Sequence, residues 1–156
     1  MPAKQGMNDV SLSMKKNPAI RSFRCPTDYL PVHQLWEHAG EGIHLRRSDE
    51  PEEIEKKLLR DPELFLVAET EGEIIGSVMG GFDGRRVMIY HLAVKENQRK
   101  QGIATLLMEE LERRLVAKGC IRCYLLVARD NQTANEFYSK RNWELMDLNL
   151  YGKDLV

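Results

Sequence analysis

His91-Leu92-Ala93-Val94-Lys95-Glu96-Asn97-Gln98-Arg99-Lys100-Gln101-Gly102-Ile103-Ala104-Thr105 is the stretch on which the fold turns. Its first residues close an apolar, strand-forming run over 87–95. Its last residues open the clearest helix of the chain, 102–118, with Ile103, Leu106, Leu107, Leu111 and Leu115 along one face. A strand therefore feeds a polar turn that feeds straight into an amphipathic helix. The first turn of a helix carries backbone N–H groups without intrahelical partners and the positive end of the peptide dipoles, so the junction is a ready anion site. Gly102 and Ala104 are small enough for a phosphate to approach the backbone, and Arg99 and Lys100 add positive charge. The spacing alone fits equally well a plain strand-to-helix connection in which Gly102 eases a tight turn.

Downstream, Glu109 with Arg113 and Glu110 with Arg114 are spaced as i,i+4 pairs, and Gly119 is placed to end the helix. Residues 121–128 are almost continuously apolar, which predicts a strand buried on both faces. Asn131 opens a short helix over 131–141, and 143–151 reads as a last strand. Upstream, the turn dipeptides Glu71-Gly72 and Asp83-Gly84 separate strand-like runs at 64–70, 73–80 and 87–95, an antiparallel meander. Before it come a strand at 20–24 and two helices. Pro26-Thr27-Asp28 starts the first, with Leu30, Val32, Leu35 and Trp36 on one stripe. Ser48-Asp49 before Pro51 starts the second, which carries Ile54, Leu58 and Leu59. The order β-α-α-β-β-β-α-β-α-β predicts one mixed α/β domain over residues 19–156. Residues 1–18 are polar and aperiodic, and read as a disordered tail or a segment left from cloning.

The chain has 156 residues, 42% hydrophobic and 30% charged, and its 23 basic side chains nearly balance 24 acidic ones. A domain of this size buries a sizeable core without disulfides or metal. Balanced charge gives no global field toward nucleic acid or an anionic membrane. No apolar run is long enough to span a bilayer, and residues 1–17 lack the apolar segment of a secretory signal. Cys25, Cys120 and Cys123 form an odd, sparse set that reads as reduced thiols of a cytoplasmic protein. Cys120 and Cys123 make a C-x-x-C, but at the far end of a helix, where no dipole activates a thiol; they read as structural. His33 and His38 are five apart, off the step that aligns metal ligands on a helix, and His44 lies in a loop, so no metal is expected. Gly76, Gly80, Gly81 and Gly84 lie in a strand and a turn with no helix after them, unlike a nucleotide-binding loop.

Three blocks near the junction, Leu92-Ala93-Val94, Arg99-x-x-Gly102-x-Ala104 and Leu106-Leu107, are followed by Asn131, Ala134-Asn135, Phe137-Tyr138 and Arg141-Asn142-Trp143-Glu144. On these residues the chain resembles the GNAT superfamily of N-acetyltransferases. Phe-Leu-Val-Ala-Glu at 65–69 and Gly-Ser-Val-Met-Gly-Gly at 76–81 make it most similar to the small stand-alone bacterial members. The resemblance spans nearly the whole domain. Three positions depart from the pattern: Glu96 where proline is frequent, Asn142 where glycine is usual, and Trp143 for phenylalanine or tyrosine. Asparagine tolerates the left-handed backbone that such a glycine serves.

The resemblance implies the GNAT fold: a central mixed, mostly antiparallel sheet of about six strands flanked by four helices. It implies an enzyme that moves an acetyl group from acetyl-coenzyme A to an amine by direct attack, without a covalent enzyme intermediate. The acceptor would be a small molecule or a protein or peptide amino group. Backbone amides of Lys100, Gln101, Gly102, Ile103, Ala104 and Thr105 would hold the pyrophosphate, beside Arg99. Leu92, Ala93 and Val94 would meet the pantetheine arm and the acetyl carbonyl, in a notch between the strands at 87–94 and 121–128. Asn131 and Asn135 would line the other side. Tyr138 becomes the candidate general acid, against a plain packing role for Phe137-Tyr138. His91 is the candidate base, with Tyr90 and Glu69 as alternatives; strand alternation keeps His91 and Tyr90 from both facing the cofactor. Glu37, Glu41 and Asp49 are candidates to attract a cationic amine, or simply solvated charges. A non-catalytic acyl-coenzyme A sensor of the same fold is the alternative, and a homodimer is a frequent state in the superfamily.

Overall fold

The computed structural model describes residues 16–156, apart from the side chain of Glu41; residues 1–15 of the expected tail lie outside it. Five strands and four α-helices follow in the order β1 (Ala19–Ser22), α1 (Tyr29–Glu37), α2 (Pro51–Arg60), β2 (Phe65–Thr70), β3 (Glu73–Phe82), β4 (Arg86–Val94), α3 (Ile103–Ala117), β5 (Arg122–Leu125) and α4 (Gln132–Ser139). They form one sheet in the order β1-β2-β3-β4-β5. The first four strands are antiparallel and β5 lies parallel to β4. The meander is the expected one. Glu71 and Gly72 both take positive φ, 50° and 78°, as a two-residue hairpin turn requires.

Two apolar layers sandwich the sheet. On one face α3 buries Ile103, Leu107, Met108, Leu111 and Leu115 against Leu64, Leu66, Ile75 and Val78. Each fully buried leucine of this set contributes on the order of 2 kcal/mol. Met108 takes the buried place expected of Leu106, because it lies three and seven residues before Leu111 and Leu115. Gly76 permits the close approach of α3: a Cβ there would sit 3.0 Å from Leu107 Cδ1 and 3.2 Å from the Ala93 carbonyl oxygen. On the other face α1 and α2 bring Val32, Trp36 and Ile54 onto Phe65, Val67 and Met79.

Several local expectations fail for identifiable reasons. The Asp28 carboxylate does not cap α1; it accepts from Arg21 Nη1 at 2.6 Å and from the Arg24 amide at 2.8 Å. Glu69 belongs to the same cluster, accepting Arg21 Nε at 2.6 Å, so it clasps β1 to β2. Leu30 and Leu59 face solvent. Glu110 pairs with both Arg113 and Arg114, leaving the expected Glu109–Arg113 pair unmade. The strand expected over 121–128 shrinks to the four residues of β5, with Ile121 and Leu126 exposed, and 143–151 joins no strand. The sheet therefore has five strands rather than six. Both shortfalls share a cause: among the described residues nothing pairs with the outer edge of β5.

Candidate active site

The site begins where β4 and β5 part. Their pairing ends at Ile89 opposite Leu125, yet β4 runs on to Val94, so the two chains splay into a notch. At the same level β4 bulges. Ser77 of β3 faces Ala93 and Met79 faces Tyr90, which leaves one β3 residue opposite the two residues His91 and Leu92. His91 takes φ 51° to accommodate the bulge. Its carbonyl accepts a 3.4 Å hydrogen bond from Ser77 Oγ, which in turn accepts Trp36 Nε1 at 3.0 Å. The bulge also cancels the strict alternation expected of β4: Tyr90 and His91 both line the resulting slot, a cavity of about 90 Å³.

His91 is held by Asp49, expected from the sequence as a helix start and as a charge near the acceptor. Asp49, 4% exposed, places Oδ1 2.6 Å from His91 Nε2. Its other oxygen accepts the Arg46 amide at 2.9 Å, and its carbonyl accepts the Tyr29 hydroxyl at 3.0 Å. A carboxylate only accepts, so Nε2 carries a proton, and in the neutral imidazole Nδ1 keeps its lone pair. Asp49 ends a 3-10 turn at Arg47–Asp49 just ahead of α2, and 42 residues separate it from His91 in sequence. No spacing rule could have joined them.

The opposite wall is α4. Asn131 caps it as expected, its Oδ1 accepting the Ala134 amide at 3.1 Å, and Asn131 also lines the slot. Asn135 turns its amide onto the Ala128 and Asn131 carbonyls instead, at 3.3 and 2.9 Å, so it braces the loop and does not line the slot. Tyr138 packs edge-on against Phe137 and Trp143, with ring centroids 5.1 and 5.6 Å away. Its hydroxyl has no hydrogen-bond partner among the described residues, and Tyr138 lines the slot. Burial pushes this phenol up to about 12. Asn142 takes φ 62°, the left-handed turn at which glycine was the usual residue.

The helix tip fits an anion. Lys100 and Gly102 adopt φ 61° and 80°, and no side chain caps α3, so the amides of its first turn stay free. Arg99 folds back, donating to the Val94 carbonyl at 3.0 Å and reaching that of Ala39 at 3.4 Å, and so ties the loop down. Besides Lys100 in the turn itself, Arg141 stands beside the first turn. It donates to Thr105 Oγ1 at 2.7 Å and lies over the Phe137 ring at 3.7 Å. Arg141 belongs to the second motif, and nothing in its sequence spacing indicates this position.

Other candidates fall away from this centre. Burial pushes the Cys123 thiol up to about 12, which leaves it unreactive, and Cys25, Cys120 and Cys123 are free. Glu37 lines a separate groove of about 1040 Å³ beside α1 that shares no residue with the slot. Among the described residues no three acidic, histidine or cysteine side chains converge on a metal position. No described helix is long and apolar enough to cross a membrane.

Residues 29–143 match the model of the acetyltransferase (GNAT) family. An acetyltransferase of Pectobacterium atrosepticum is 45% identical over 138 residues, 88% of this chain and 95% of that protein. One of Yersinia enterocolitica is 44% identical over the same shares. Among solved structures, the PaiA N-acetyltransferase of Thermoplasma acidophilum in complex with coenzyme A superposes with a TM-score of 0.76. It is 21% identical and covers 86% of this chain and 94% of that one.

Proposed function

The chain belongs to the GNAT family of acetyltransferases, and from that premise we propose that it transfers an acetyl group from acetyl-coenzyme A to an amine by direct attack in the slot between β4 and α4. One observation carries the reading: Tyr138 and an Asp49-held His91 line the same small cavity, where two parallel strands separate. Acetyl-coenzyme A supplies an acyl group activated as a thioester. The amides of Lys100 to Thr105 would bind its pyrophosphate, with Arg141 as the neighbouring cation and the backbone at Leu92, Ala93 and Val94 facing the arm. The about 90 Å³ of the slot suits the amino end of a slender acceptor.

Only the neutral form of an alkylamine, whose ammonium has a pKa of about 10.4, can attack, and His91 Nδ1, the free ring nitrogen, would take the N–H proton as the new C–N bond makes it acidic. Asp49 keeps the tautomer that leaves Nδ1 open. Tyr138, held at about 12, stays protonated across the working pH range. Passing that proton outright to a thiolate, whose thiol has a pKa of roughly 8.5, runs uphill by about 5 kcal/mol. Tyr138 therefore acts by donating a hydrogen bond from Oη to the developing negative charge, and yields the proton late if at all.

The test is amine-dependent thiol release beside calorimetric coenzyme binding. Tyr138→Phe and His91→Asn, the latter chosen because asparagine accepts φ 51°, are expected to lower kcat by about 10²-fold or more with coenzyme affinity kept. Asp49→Asn should lower kcat less. Tight coenzyme binding without thiol release across polyamines, amino acids, aminoglycosides and peptides would support the sensor reading instead.

A further inference from the structure

We propose that Ser77 and Trp36 are positioning residues: they form a buried strut that holds the β4 bulge and so aims His91 at Asp49 and the slot. This role rests on the reading of His91 as the base, and it extends to two side chains that meet no substrate. Ser77 puts a hydroxyl where the fold has no water. It is 0% exposed, opposite Ala93 in β4 and bonded to Trp36, and both of these belong to the apolar layer under α1 and α2. A hydroxyl in such a place is costly unless its hydrogen and a lone pair both find partners. Packing by itself does not ask for one: an alanine at 77 and a phenylalanine at 36 would complete an apolar layer with no polar atom to satisfy.

The direction of the two bonds gives the hydroxyl its task. An indole nitrogen only donates, so Ser77 Oγ accepts Trp36 Nε1 at 3.0 Å and its own hydrogen is left for the His91 carbonyl at 3.4 Å. That carbonyl belongs to the bulged residue with φ 51°. A residue other than glycine keeps a left-handed backbone only where its surroundings hold it there. Trp36 holds the same residue a second way, its ring centroid lying 4.8 Å from that of the His91 ring. The indole is itself fixed: it is 1% exposed and stacks at 5.9 Å on Phe65, which stacks at 4.2 Å on Phe23.

Without the strut, β4 is free to recover a regular register. Successive side chains of a regular strand point to opposite faces, so an adjustment by one residue turns His91 away from the slot. The 2.6 Å contact between Nε2 and Asp49 Oδ1 is then lost, and with it the preference for the tautomer that leaves Nδ1 open.

Nitrogen NMR of the neutral imidazole tests this without any substrate, the His91 signals being assigned by their absence in His91→Asn. The unmodified chain should show a single tautomer, protonated at Nε2. Ser77→Ala should show both tautomers and lower kcat about tenfold, the effect of losing one hydrogen bond, with calorimetric coenzyme A affinity little changed. Trp36→Phe, which leaves Ser77 its bond to His91, should do the same to a smaller degree and gives the comparison independently of whether Ser77→Ala folds. A purely structural strut would lower Tm and leave the His91 signals as they are. Unchanged signals or unchanged kcat in folded Ser77→Ala would overturn the proposal, as would two tautomers in the unmodified chain. If the unmodified chain releases no thiol with any amine, the reading of His91 as the base fails, while the nitrogen spectra still decide whether the strut aims the ring.

Discussion

The two ends of α3 are built on opposite plans. Its far end is tied to the rest of the chain. Arg114 donates to Glu110 Oε1 at 2.7 Å, to Ser22 Oγ at 2.7 Å and to the Glu63 carbonyl at 2.9 Å. Lys118 pairs with Glu63, and Gly119 at φ 81° turns the chain so that the Cys120 amide reaches the Leu115 carbonyl. At the near end no side chain caps the helix, two residues sit in the left-handed region, and the amides wait. One helix thus differs along its length: bonds made within the chain at one end, amides left without a side-chain partner at the other, where the proposed coenzyme would bind. A cap at the near end would add about 1 kcal/mol of stability and would occupy the donors a phosphate needs.

That contrast can be broken from either side. The largest effect belongs to Gly102→Val. A Cβ there would meet no protein atom, so the damage comes from the left-handed backbone and from the ligand's own space. Coenzyme A affinity by calorimetry should fall about 100-fold, near 2.7 kcal/mol. The backbone strain of about 1–2 kcal/mol lowers Tm by only a few degrees. Arg114→Met, which keeps the alkyl stem, should do the reverse: denaturant unfolding loses about 2 kcal/mol while coenzyme affinity is unchanged.

The smallest effect is Glu110→Gln. Arg113 and Arg114 hold this carboxyl down to about 2 against an ordinary 4.5. Its contribution is present above pH 4.5 and is lost as pH falls toward 2. Solvent screening limits it to about 0.5 kcal/mol at neutral pH. Unfolding curves of variant and parent should therefore differ slightly at pH 7 and coincide near pH 2. A variant that altered coenzyme binding would erase the distinction between the two ends.

How much of this was legible depends on where each signal is stored. The meander, α3 and the helix at Asn131 were readable because turn dipeptides, a 3.6-residue stripe and an N-cap are local. The uncapped start of α3 was readable for the same reason, as it is made by consecutive backbone amides. The partner of His91 was not: Asp49 meets it only because α1, α2 and a bulged β4 fold onto one another. Arg141 and Thr105, 36 residues apart, are a similar case. Alternation along β4 misled, since a single extra residue opposite Val78 resets which side chains face the notch. The strand expected over 143–151 has the right pattern and no partner to pair with, and a pattern cannot supply a partner.

From its residues alone, this chain specifies its helices, its hairpins and the uncapped amides at the start of α3, because those follow from neighbours in sequence and the geometry of a single backbone segment. Only the tertiary structure decided which carboxylate holds the imidazole, which arginine stands at the helix tip and which sheet edge stays bare. Each of these is a meeting of distant segments, set by how the two layers pack on the sheet.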